Sequence, residues 1–160
     1  MTTLQIEVNK DDIKKLIDKV GGISAIDTMQ RALSNSANFL ISWIVKNRLS
    51  GPRPDVLGRI SGRLASSITA FNFLSEKNSF SIRIGTNVEY ARIHEQGGVI
   101  RPTNKPFLAW QDRNSGKWIF TKKSVTIPAR PFMKPAIQNP ENIKKVSEIV
   151  NEQITKALEK

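Results

Sequence analysis

The sequence contains no cysteine, and only one histidine and one tyrosine among 160 residues. Without thiols there can be no disulfide framework and no thiolate metal site. Stability must therefore come from buried apolar surface, in a reducing or redox-indifferent setting. With His94 as the only imidazole, a metal centre would have to rest on carboxylates, so no metal and no cofactor is expected. Long apolar runs are missing as well: FLISWIV, Phe39 to Val45, is far short of the ~20 residues that span a bilayer, and no membrane partner is expected. The opening MTTLQIEVNK lacks a basic segment followed by an apolar one, so no secretory leader is expected. The length fits one domain, expected over residues 1–160.

Acidic residues are the scarce charge, 14 against 25 basic ones, for a formal net charge of +11. From Lys46 to Lys134 there are 16 Lys and Arg against 5 Asp and Glu, while the two ends together hold 9 of each. The whole excess is central. Charge-balanced ends read as scaffold, and a basic middle reads as the part that meets nucleic acid or a negative protein surface. Scattered surface charge that merely solubilises the chain is the plain alternative.

The pattern along the chain gives an α+β fold, a small antiparallel sheet with hairpins packed against a long helix and terminal helices. LQIEV alternates as an edge strand, and Asn9 is placed to cap a first helix that ends at Gly21-Gly22. A long helix is expected from Ser24 to about Asn47, with Ile26, Met29, Leu33, Ala37, Leu40 and Ile44 as its core stripe. RLSGPRPDVLG then breaks all regularity, giving a flexible basic loop over about 48–58. Ser61 is expected to cap a short helix, and TAFNF should pair with SFSIRIG as a hairpin. A second, aromatic hairpin is expected over about 105–123, where PFLAWQ and KWIFTK flank DRNSG. Its rings can stack on unpaired bases, but cross-strand aromatic pairing is the simpler account. Asn139 caps and Pro140 begins a last helix to about 158, with Ile143, Val146, Ile149, Val150, Ile154 and Leu158 as its face.

The stretch IGTNVEYARIHEQGGVIRP, Ile84 to Pro102, organises the rest. Gly85 ends a strand, Asn87 caps a helical turn that places Tyr90, Ile93 and His94 on one side, and Gly97-Gly98 stops it. His94 beside Glu95 invites a general-base or metal reading, but the zinc-protease pattern needs a second His at the position of Gly98. Packing of Tyr90 and His94 onto the sheet is favoured, which makes both core residues. Arg130, between Pro128 and Pro131, is expected to pair with Glu95 or Glu89. No Gly-rich phosphate loop or nucleophile–base pair is visible, so no catalytic residue is named and no enzyme is expected.

Three segments together carry a resemblance. IGTNV followed by Tyr90, His94, Glu95, Gly97 and Gly98, the upstream SGPRPDVLGRISGRLASSI, and the downstream VTIPARPFMKPAI resemble the virion-morphogenesis or tail-completion proteins of tailed bacteriophages. The resemblance covers about Leu49 to Ile137, with Met133 where Leu is more usual. It implies a structural protein of the virion, made in the host cytoplasm, that completes the tail or joins it to the head. It further implies a ring of copies, commonly sixfold, around the genome channel, with other tail or connector proteins as partners. Arg48, Arg53, Arg59, Arg113 and Lys117 are the candidate partner contacts. The competing class is a sequence-nonspecific nucleic-acid binder, and contact with genome DNA in the channel joins the two. A nuclease using His94 and Glu95 is the weakest of the three.

Overall fold

The computed structural model describes residues 2–9, 11, 14–51, 56–58, 61–76, 79–112 and 115–159, and only the backbone of Lys15, Gly22 and Ile23. Its longest element is helix α2, Gly22–Ile44, which follows α1, Lys14–Val20. Met29, Leu33, Ala37, Leu40 and Ile44 are buried at the expected spacings of three and four. The stripe starts differently, because Ala25 is buried and Ile26 faces outward. Ser36 lies within the stripe and donates to the Ala32 carbonyl at 2.9 Å, so its hydroxyl is satisfied in the core. Beyond Ile44 the helix widens into a single π-turn, Val45–Leu49, where the Ser50 hydroxyl donates to the Val45 carbonyl at 2.8 Å.

Three antiparallel strands, β1 (Thr2–Asn9), β2 (Thr69–Ser75) and β3 (Ser79–Thr86), form a sheet in the order β1-β3-β2. Both strand assignments read from alternation hold, and β3 is the centre. Leu4 lies opposite Ile84 and Ile6 opposite Ile82, so the apolar sets of β1 and β3 share a face. Phe80, Ile82 and Ile84 are buried. β2 is interrupted by a register shift between Phe71 and Leu74, with Asn72 at φ 52°. Gly85 does not end β3 as expected. It sits inside the strand, where a Cβ would lie 2.9 Å from the Thr2 carbonyl oxygen and 3.0 Å from the Phe71 ring.

Helix α3, Arg63–Ser67, buries Leu64 and Ala65, and the Ser61 hydroxyl accepts from the Arg63 amide at 3.3 Å. The last helix, here α6, spans Pro140–Leu158 and packs along α2. Asn139 caps it through Oδ1, which accepts from the amides of Glu141 and Asn142 at 2.8 and 3.4 Å. Val150 is buried and Val146, Ile154 and Leu158 pack against the core, but Ile143, expected on the same face, is 54% exposed. Helix α2 thus serves the sheet and α6 together, which is why its apolar face is wide. Among the described residues no helix is long and apolar enough to cross a membrane.

Leu33 is fully buried, so Leu33→Ala should destabilise by about 2–5 kcal/mol, read from the urea midpoint at constant slope. Tyr90, placed in the core by its helical spacing, is 38% exposed, and Tyr90→Ala should cost no more than ~1 kcal/mol.

Candidate functional site

Helix α4, Ala91–Gln96, starts later than its sequence signal: its N-cap position is Tyr90, and among the described residues no side chain, Asn87 included, caps it, while Thr86 closes the turn before it. The Thr86 hydroxyl accepts from the Val88 amide at 3.2 Å and is bonded to the Ser67 hydroxyl at 2.7 Å. At the far end Gly97, at φ 72°, turns the chain. A Cβ there would lie 2.9 Å from the Ala129 amide nitrogen, so this position is closed to side chains on two counts, backbone handedness and space.

Glu95 does not pair with Arg130. Its carboxylate instead receives the start of helix α5, Lys134–Gln138: the amides of Phe132 and Met133 donate to Oε2 at 2.8 and 3.0 Å, and that of Lys134 donates to Oε1 at 2.9 Å. The first amides of a helix have no partner within it, and α5 has no capping side chain of its own. A carboxylate 37 residues upstream supplies what the local sequence PFMK cannot. The same segment is held twice more. The Arg130 amide donates to the His94 carbonyl at 2.7 Å, and Nε and Nη2 of Arg48 donate to the Pro131 carbonyl at 3.1 and 2.9 Å. Among the described residues the ion pairs are Lys145–Glu148 and Lys156–Glu152, both on α6.

Between these two anchors the chain runs out and back as an arm. It leaves along β4, Gly98–Ile100, and returns along β7, Val125–Ile127, which pair antiparallel with Gly98 opposite Ile127. The distal part is the expected aromatic hairpin, β5 (Leu108–Gln111) with β6 (Trp118–Thr121). Its turn is built by Asp112, whose Oδ2 accepts from the Ser115 amide and hydroxyl at 3.0 and 2.6 Å, and by Gly116. Phe107 meets Phe120 edge-on at 5.5 Å, and Trp118 stacks near Phe120 at 6.4 Å. Trp110 and Ile119 are opposite each other in the register, on the other face of the ribbon.

Both faces of this hairpin are therefore apolar, and neither is covered. Trp118 is 62% and Phe120 60% exposed, while Trp110 and Ile119 are close to 40%. Among the described residues β5 and β6 pair with each other but make no substantial contact with any other element. The expected α+β class, with small antiparallel sheets and a long helix, holds, and the second hairpin stands off that helix. At its root Arg101, Lys105 and Lys122 line one polar pocket of about 680 Å³.

The expected site residues fall into two groups. Tyr90, His94, Glu95, Gly97, Gly98 and Arg130 are gathered at the anchor, with the rings of Tyr90 and His94 edge-on at 5.9 Å. Arg48, expected on the partner-facing loop, turns inward to Pro131. The two ends of that loop are tied together by the Leu57 amide, which donates to the Arg48 carbonyl at 3.2 Å. Arg53, Arg59 and Arg113 lie outside the described residues. Lys117 is exposed on the hairpin. Helix α5 went unread in the sequence, although the absence of a capping residue before KPAIQ was the signal that a remote acceptor was required. Among the described residues no group of three or more Asp, Glu or His is placed to hold a metal ion.

Glu95→Gln should destabilise by about 1–3 kcal/mol, because one charge-assisted acceptor is replaced by an amide group that cannot accept. Gly97→Ala should cost a comparable ~1–3 kcal/mol. Thermal or urea unfolding checks both, and a melting temperature unchanged in either variant would show that the anchor is not structural.

No curated protein and no solved structure matches the chain. A family model does match, over residues 42–157, a span that takes in the π-turn, the anchor, the whole arm and nearly all of α6. On that match the chain belongs to the phage virion morphogenesis family.

Proposed function

We propose that the protein is a structural, non-enzymatic component of the virion that acts in tail completion or head–tail joining, its copies forming a ring, hexameric by the resemblance, at the tail–head junction. The observation that carries this is the arm. A ribbon with exposed tryptophan and phenylalanine on a stand anchored by Glu95 and Gly97 makes sense if another protein covers it. A ring needs a heterologous contact, in which one patch of a subunit meets a different patch of the next, and a projecting element can supply it. Both Glu95 oxygens are engaged by backbone amides, which argues against a catalytic pairing with His94. Lys117, with the root cations, is the partner contact that the geometry supports best, and Arg53, Arg59 and Arg113 remain candidates by sequence.

Deleting the gene from the phage that carries it should leave heads and tails that fail to join or tails that fail to finish, with rescue by the wild-type chain. Infectious, normally joined particles in its absence would sink the reading.

One observation favours nucleic acid as a second reading, namely three cations around one pocket beside exposed rings. Genome DNA in the channel is the natural polyanion. If it is bound, retardation of DNA should weaken with salt along a steep logarithmic slope, close to one unit for each phosphate neutralised. No retardation at low salt would dispose of it.

A further inference from the structure

A second apolar feature lies on the charge-balanced part of the molecule. Between the outer side of β1 and helices α5 and α6 runs a groove of about 490 Å³, lined by Ile6, Val8, Ile137, Ile143, Val146 and Val150 among others. Ile143 is 54% and Ile137 41% exposed. β1 is an edge strand, so along one side its backbone groups have no strand partner among the described residues. The groove therefore offers apolar side chains and a row of backbone donors and acceptors together, the combination that accepts an added strand.

Accepting the ring reading, we infer that the aromatic hairpin of one copy docks in the β1/α6 groove of the next. Charge favours this occupant over a symmetric contact. The hairpin segment from Arg101 to Lys123 carries six basic residues against Asp112 alone, so two hairpins repel. β1 and α6 carry four acidic residues against three basic, a slightly acidic balance on a chain of net charge +11. Area contributes as well. At roughly 200 Å² for a whole aromatic side chain, the exposed parts of Phe107, Trp118 and Phe120, on one face of the ribbon, offer on the order of 300 Å². That is more than a third of the ~800 Å² per partner of a standard interface, before the lysine stems are counted. Unlike patches on one chain make the contact head-to-tail, so it propagates from copy to copy until it closes.

The test uses two variants of the full chain. Trp118→Ser with Phe120→Ser blunts the hairpin, and Ile143→Lys charges the groove. All three side chains are more than half exposed, so both variants should melt like the parent. Size-exclusion chromatography with light scattering, over a concentration series at low and high salt, reads the association. The parent should form oligomers that persist as salt rises, since the contact is apolar between like-charged molecules. Each variant alone should associate at least about a hundredfold more weakly. A mixture of the two should give a one-to-one dimer and nothing larger, because only one intact hairpin and one intact groove remain in it. If the hairpin variant assembles like the parent, the docking fails and the ring reading stands. If the mixture stays monomeric although the parent oligomerises, the contact is not hairpin to groove. A parent that is monomeric throughout overturns the docking and removes self-association in solution with it, leaving the hairpin to another virion protein or to DNA.

Discussion

The carboxylate of Glu95 holds the base of the arm in place. Helix α5 is too short and too poor in capping residues to start on its own, and a free helix start exposes amides that need an acceptor. Glu95 provides that acceptor with both oxygens, from the last turn of α4, and so fixes the segment from Arg130 to Lys134 against the turn at Gly97. Everything between those points has its two ends fixed close together. Once the ends meet, β4 and β7 are brought into register, and the residues beyond them can only project.

This division of labour explains an otherwise awkward composition. The His-Glu-Gln-Gly-Gly run and the Pro-Ala-Arg-Pro run are the two sides of one joint. They resemble a catalytic cluster in sequence because a joint of this kind needs the same residue types, an acid to bind amides and glycines to let backbones touch. The arm they support is where aromatic side chains remain uncovered. Arg48 belongs to the joint too. Its forked guanidinium suits a single carbonyl with two donors, which a lysine could not match.

How much of this was legible in the sequence follows the distance between interacting groups. The Asn139–Pro140 helix start, the Asp112–Gly116 turn and the alternation of β3 are signals written within a few residues, and each appears in the fold as read. The stripe of α2 was legible because 23 residues give a helical period time to declare itself. Six residues do not, and the side of α4 on which Tyr90 falls was misread for that reason. Glu95 and Arg48 find their partners 37 and 83 residues away, and charge alone pointed each to the wrong one. The aromatic hairpin was visible as a hairpin, but whether its faces are covered depends on the rest of the fold, which periodicity does not encode.

The interruption in β2 has a bearing on how such a protein can be made in quantity without fibrils. A three-stranded sheet has two open flanks, and two straight flanks would let copies stack without limit. With the register broken near Asn72 on one flank, only the β1 flank presents an unbroken row of backbone groups among the described residues. An interrupted edge is a poor template for a further strand, so unlimited stacking through both flanks is disfavoured.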